Sequence, residues 1–227
     1  MTRAPRPLRL PRAVVFDMDG LMLDTERLAL RCWADAAARL ELDFDAALIP
    51  AMIGRNSRDS RALILDRHGD DYPIDRLMQA SQETYDAIVA REGVALKPGL
   101  VALLDWLDAM RIPRVVATST RRARAESKLA QADLLARFAA LVGGDEVANG
   151  KPLPDIFLLA AARLGAAPAD CVVLEDSEPG VRGALAAGMI PIMVPDTLQP
   201  TADLLARGVL VLPSLTAVQS HLAALPD

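Results

Sequence analysis

Short runs of apolar residues, each ending abruptly in polar or acidic side chains, recur along this chain and alternate with stretches of helical period. The first is Val14-Val15-Phe16, followed directly by Asp17-Met18-Asp19-Gly20. A run with no polar member suits a strand buried on both faces, as in a parallel sheet. Similar runs at 114–118, 171–174, 190–194 and 209–212, with a shorter one at 139–142, predict further strands. Between them the spacing turns helical. Leu100, Leu103, Leu104 and Leu107 share one face of a helix opened by Pro98-Gly99, and helices are also predicted at 121–130, at 154–164 before Gly165, up to Gly188, and at 215–225. Such alternation predicts an α/β fold, a mostly parallel sheet with helices on both faces.

The alternation is interrupted once. From Asp24 or Thr25, either of which can cap a helix, Ala29, Trp33, Ala36, Ala37 and Leu40 fall on one helical face. Helical or loop-like sequence then continues to Gly93. This predicts a helical cap at 24–96 inserted after the first strand, with 12–23 and 97–227 forming the core and 1–11 a flexible tail.

Composition narrows the classes of function. The chain has 227 residues, 52% of them hydrophobic, with few aromatics and a formal charge of −5. Arg is interleaved with Asp and Glu and forms no basic block, which excludes nucleic acid as a partner. No stretch is long and uncharged enough to span a bilayer, and the basic N-terminus has no apolar segment behind it, so membrane and secretion are excluded in favour of the cytoplasm. Cys32 and Cys171 read as buried reduced thiols. His68 and His221 have no nucleophile or metal-ligand cluster beside them in sequence, which leaves carboxylates to carry the chemistry.

Asp-x-Asp-Gly after a strand is by itself an ordinary turn. Three later stretches change its meaning: Val115-Val116-Ala117-Thr118-Ser119-Thr120, then Gly150-Lys151-Pro152, then Val172-Val173-Leu174-Glu175-Asp176-Ser177. With all four in this order over residues 12–215, the chain resembles the haloacid dehalogenase superfamily, mostly phosphatases, and within it the β-phosphoglucomutase-like branch. The resemblance implies a Rossmann-like core with a helical cap. Gly144 to Gly150 before Lys151 only mimics a P-loop, because the spacing is one residue too long and Pro152 replaces Ser or Thr.

An ionised carboxylate can attack phosphorus without a base to activate it. The resemblance assigns that role to Asp17, through an aspartyl-phosphate intermediate. It makes Asp19 the acid that protonates the leaving oxygen and the base that activates water, which predicts a raised Asp19 pKa. Glu175 and Asp176 add two carboxylates, and like charges ~4 Å apart repel by about 4 kcal/mol at an effective dielectric of 20. A cation is expected there, and hard oxygen ligands with a phosphate substrate indicate Mg²⁺. By the resemblance, Asp17 and Asp176 bind it through side chains, Asp19 through its carbonyl, with Glu175 assisting. Lys151 is one of three lysines and can offset the charge of nucleophile and phosphoryl group. Thr118 matches the superfamily's hydroxyl position, and with Ser119 it offers phosphate-binding groups.

A dehalogenase would lack the second acid, and a phosphonatase would need a Lys within the cap, where none occurs. The β-phosphoglucomutases carry a His on the first cap helix and a sugar-phosphate Arg in the cap loop. Here those places hold Ala29 and Ser57, although Arg58 stands next to the second. Thr25, Arg55, Asn56 and Arg58 are therefore the expected specificity residues. The reading is a monomeric Mg²⁺-dependent phosphatase acting on a small phosphorylated metabolite such as a sugar phosphate. The alternatives are a sugar phosphate mutase and an idle phosphate-binding regulatory module.

Overall fold

A computed structural model describes Ala4 and residues 9–226. Of the expected N-terminal tail, most lies outside the described residues. Within it, Ala4 donates its N–H to the Arg207 carbonyl at 2.6 Å, and Leu10 donates to Pro226 at 2.8 Å.

Six strands occur among the described residues: β1 (Ala13–Phe16), β2 (Arg114–Ala117), β3 (Ala140–Val142), β4 (Cys171–Glu175), β5 (Ile190–Met193) and β6 (Leu210–Val211). All neighbouring pairs are parallel, in the order β3-β2-β1-β4-β5-β6. The period-2 geometry of strands divides their side chains between two cores. Val14, Phe16, Val116, Val172 and Leu174 face one side, against Leu100, Leu103, Leu104 and Leu107 of α5 (Leu100–Ala109), with α6 (Arg122–Gln131) and α10 (Leu215–Ala223) beside it. Ala13, Val15, Val115, Ala117 and Val173 face the other, against Ile156, Phe157, Ala160 and Ala161 of α7 (Asp155–Leu164) and Ala184 of α8 (Glu178–Ala186). The short α9 (Ala202–Ala206) covers the edge near β5 and β6. Burial of β1 and of the centres of β2, β4 and β5 on both faces is why the middle of each of these runs is apolar.

After β1 the chain turns outward into four helices, α1 (Glu26–Arg39), α2 (Ile49–Met52), α3 (Ser57–His68) and α4 (Ile74–Glu92). The longest two, α1 and α4, pack through Ala36, Ala37, Leu77 and Ala80, and again through Cys32, Tyr85 and Val89. The outgoing and returning segments are tied together where they meet the sheet: Asp24 N–H donates to Ala95 at 2.9 Å and Lys97 N–H to Met22 at 2.9 Å. Both cysteines are buried and free. Among the described residues no helix is long and apolar enough to cross a membrane.

Candidate active site

The strand order reverses direction at β1 and β4, and in open α/β sheets the crevice beyond the carboxyl ends at that point is where ligands bind. Asp17 is the first residue beyond β1, Glu175 the last of β4, and Asp176 follows it. Pairing in register places Phe16 beside Leu174, and Asp17 N–H donates to the Leu174 carbonyl at 3.0 Å. Two residues far apart in sequence are thereby set side by side by the ladder.

Carboxylate oxygens of Asp17, Glu175 and Asp176 lie within 4.8 Å of one another, and all three residues are buried. Lys151, itself fully buried, donates its ammonium to Asp17, to Glu175 Oε1 at 2.6 Å and to the Ala117 carbonyl at 3.1 Å. Burial works against that charge, but Asp17 and Glu175 outweigh it and raise the Lys151 pKa. Glu175 is further held by Ser177, whose N–H and hydroxyl reach Oε2 at 3.0 and 2.8 Å. Glycine allows this crowding. A Cβ on Gly20, where φ is +85°, would stand 2.2 Å from Asp176 Oδ2, and one on Gly180 would stand 1.8 Å from Glu175 Oε1.

Asp17 and Glu175 share one ammonium, with Asp176 beside them. Burial pushes the Asp17 pKa up to about 8, with Lys151 pulling down and Glu175 adding to the rise. Asp176 is raised well above the carboxylate range, by burial and then by Glu175 and Asp17. A cluster of hard oxygen donors that resists ionisation until more positive charge arrives fits Mg²⁺. Glu26 of α1 adds a further buried acid, its Cδ 3.1 Å from where a Gly20 Cβ would lie, beside Asp176.

Asp19 departs from expectation. Burial works to raise its pKa, but the Lys128 ammonium 2.6 Å from Oδ1, with the Thr25 and Thr120 hydroxyls each at 2.7 Å, brings it below the usual carboxylate range. The predicted raised pKa is therefore corrected: three donors hold Asp19 as an anion. Lys128 and Thr120 were missed from the sequence. Lys128 had one visible signal, its place with Ala125 and Leu129 on the buried face of α6. Thr25 occupies the N-cap position of α1 but makes no cap bond, because its hydroxyl goes to Asp19.

Thr118 is buried just past β2, and its Oγ1 accepts the Thr120 N–H at 3.1 Å. Ser119 donates its hydroxyl to the Gly54 carbonyl of the helical insertion at 2.9 Å, so the loop before α3 lies against this strand tip. Its specificity candidates separate. Arg55 lines a cavity of about 810 Å³ between insertion and core, together with Trp33, Tyr85, Thr120, Arg121 and Arg124. Asn56 caps α3, accepting the Asp59 N–H at 2.9 Å. Arg58 pairs with Asp59 at 3.3 Å and borders a different, smaller hollow beside Gly144. Neither Asn56 nor Arg58 is on the wall of the large cavity.

Known proteins resemble this arrangement. A family model described as haloacid dehalogenase-like hydrolase matches residues 11–188. The chain is 36% identical over 199 residues to a probable pseudouridine-5'-phosphatase of Drosophila melanogaster, covering 85% of each. It is 32% identical over 189 residues to the β-phosphoglucomutase of Bacillus subtilis, covering 81% of this chain and 83% of that one. Among solved structures, CbbY from Rhodobacter sphaeroides in complex with phosphate superposes with a TM-score of 0.75 at 28% identity, over 92% of this chain and 96% of that one. With its acidic and hydroxyl motifs at the ends of β1, β2 and β4 and Lys151 reaching in between them, the chain is an enzyme and belongs to the haloacid dehalogenase-like hydrolases.

Proposed function

We propose that this enzyme, a phosphatase of that family, hydrolyses a small phosphorylated metabolite in two steps through a phosphorylated Asp17, with Mg²⁺ as cofactor. The observation that carries the reading is Lys151 joined to both Asp17 and Glu175 beside Asp176, at the sheet position where α/β folds bind ligands. Asp17 and Asp176 would hold the metal through side-chain oxygens and Asp19 through its main-chain carbonyl, with Glu175 assisting. When bound, Mg²⁺ neutralises the carboxylates and polarises the phosphoryl oxygens.

Asp17 attacks phosphorus with a carboxylate oxygen, and the bond from phosphorus to the ester oxygen breaks. Lys151, Thr118 and Ser119 offset and orient the phosphoryl charge. Asp19 rests as an anion, so the proton for the leaving oxygen enters with the substrate. A monoester with a second pKa of about 6 is partly monoanionic near neutrality. Asp19 accepts that proton and passes it to the departing alkoxide. Once more an anion, Asp19 then takes a proton from water as the water oxygen bonds to phosphorus. The acyl phosphate bond breaks, Asp17 is restored, and inorganic phosphate leaves as Asp19 gives up its proton to the phosphate or to solvent.

Arg55 in the large cavity supports selection of a polar leaving group. Hydrolysis is favoured over transfer between sugar hydroxyls because Ala29 and Ser57 offer no His or Arg to hold a sugar bisphosphate over Asp19. A reducing, cytoplasmic compartment is supported by the two buried, free cysteines. The test is phosphate release from a panel of small phosphate esters with Mg²⁺, where wild type releases phosphate and Asp17→Asn does not. Release by Asp17→Asn at the wild-type rate would contradict the proposal.

A further inference from the structure

Lys128 sits on a core helix, and its side chain is 10% exposed with Nζ 2.6 Å from Asp19 Oδ1. The same ammonium stands 4.9 Å from the centroid of the Tyr85 ring. Tyr85 belongs to α4, on the cap side of the cleft. Arg124, one turn earlier on α6, lies 4.8 Å from that ring centroid and reaches Asp86 of α4 at 3.4 Å. One core helix therefore presses two cations against one cap aromatic, and one of these cations also holds Asp19.

A buried ammonium needs fixed partners to offset its lost hydration. Lys128 has a carboxylate from the core and a ring face from the cap, the latter attractive through its quadrupole. Removing the ring would free one side of the side chain and admit water to it. The Tyr85 hydroxyl is buried without a hydrogen-bond partner among the described residues, and Tyr85 lines the large cavity. A leaving group seated there would touch the side chain that packs on Lys128.

We propose that Lys128 is a positioning residue for Asp19, and that Tyr85 makes this positioning depend on the cap lying closed. The inference rests on Asp19 being the proton-transfer group. Under a closed cap, ring and ammonium together hold the carboxylate in one orientation. When the cap lifts, Lys128 loses the ring that fixes it, and Asp19, still bonded to Thr120, is held less firmly by a mobile ammonium and activates water poorly. The contact differs in origin from the absent mutase groups at Ala29 and Ser57, since its charge comes from the core.

The experiment is stopped-flow kinetics of the full chain with Mg²⁺ and p-nitrophenyl phosphate. The nitrophenolate leaves without a proton, so its first release reports attack by Asp17, whereas steady turnover needs Asp19 to activate water. Lys128→Met is expected to show a burst near one equivalent at a rate within threefold of wild type. Its kcat then falls at least tenfold while kcat/KM changes less than threefold, because only the second step is slowed. Lys128→Gln should behave alike and serves if the Met variant does not fold. Tyr85→Ala should lower kcat at least threefold, and adding it to Lys128→Met should cost nothing more, since Tyr85 acts through Lys128.

Turnover within threefold of wild type in the Lys128 variants, equal loss in both phases, or multiplying effects in the double variant would overturn the inference. Asp19→Asn is measured alongside. If it turns over normally, the reading of Asp19 fails and the inference with it. If it forms the burst but does not turn over while Lys128→Met is normal, only the inference fails.

Discussion

Lys151 and Glu175 meet at 2.6 Å with both side chains wholly excluded from solvent, and Lys151 spends its remaining bonds on Asp17 and a main-chain carbonyl. One ammonium is thus the only basic side chain paired with Asp17 or Glu175 among the described residues. Removing one partner of a buried pair costs ~3–5 kcal/mol because the other charge is left uncompensated. Lys151→Met is expected to lose stability on that scale in chelator, and turnover with it. Urea unfolding with and without Mg²⁺ measures the first, and a loss below about 1 kcal/mol would show that the carboxylates do not depend on Lys151.

The raised Asp17 pKa makes metal-free stability fall with pH. The folded state keeps a proton on Asp17 up to about 8, whereas the unfolded chain releases it near 3.8, so folding takes up a proton between those values. The stability this gives is complete below 3.8 and is lost as pH rises through about 8. Asp17→Asn removes the penalty and should gain about 1–3 kcal/mol at pH 7 in chelator while abolishing turnover. Mg²⁺ requires the deprotonated carboxylates, so its shift of the wild-type Tm should grow from pH 6 to pH 8. Differential scanning fluorimetry across that range tests both, and a Mg²⁺ shift that shrinks with pH would contradict them.

Asp19→Asn keeps the carbonyl expected to ligate metal and removes the proton carrier. Turnover of an alkyl phosphate should fall by the ~10²–10⁴ typical of general acid–base catalysis. Mg²⁺ affinity by calorimetry should change less than threefold. A rate within threefold of wild type would assign the proton to another group.

Arg55 and Arg58 are expected to differ, because only Arg55 borders the large cavity. Arg55→Ala should raise KM for the preferred substrate several-fold and leave p-nitrophenyl phosphate hydrolysis within twofold. Arg58→Ala, which removes an exposed ion pair with Asp59, should change KM less than twofold and stability by under about 1 kcal/mol. Equal KM effects from the two would place Arg58 against the substrate.

Much of this was legible in the chain because parallel strands buried on both faces write continuous apolar runs, and the acidic tips mark their carboxyl ends. Val14 to Asp19 and Val172 to Asp176 could both be read as strands ending in acids, and the β1–β4 ladder sets those ends side by side. The run of helices between β1 and α5 was equally visible as a break in the β-α rhythm. What escaped depends on pairings between distant positions. Lys128 reaches Asp19 across 109 residues, and helical spacing shows only that it lies on a buried face. That pairing reversed the expected direction of the Asp19 pKa. The hydroxyl of Thr25 had two uses, ligand and helix cap, and only geometry separates them: it turns to Asp19. Asn56, read only as a specificity residue, caps α3.

The central claim, a phosphoryl group passing from substrate to Asp17 and then to water, is tested most directly by rapid acid quench of the Mg²⁺-loaded enzyme with a ³²P-labelled small phosphate ester. Peptide mapping should find the label on Asp17 within the first turnover, and a chase with unlabelled ester should move it into inorganic phosphate at least as fast as kcat. Label absent from Asp17 while phosphate is released would contradict the covalent route, and label recovered chiefly on a sugar hydroxyl would contradict hydrolysis.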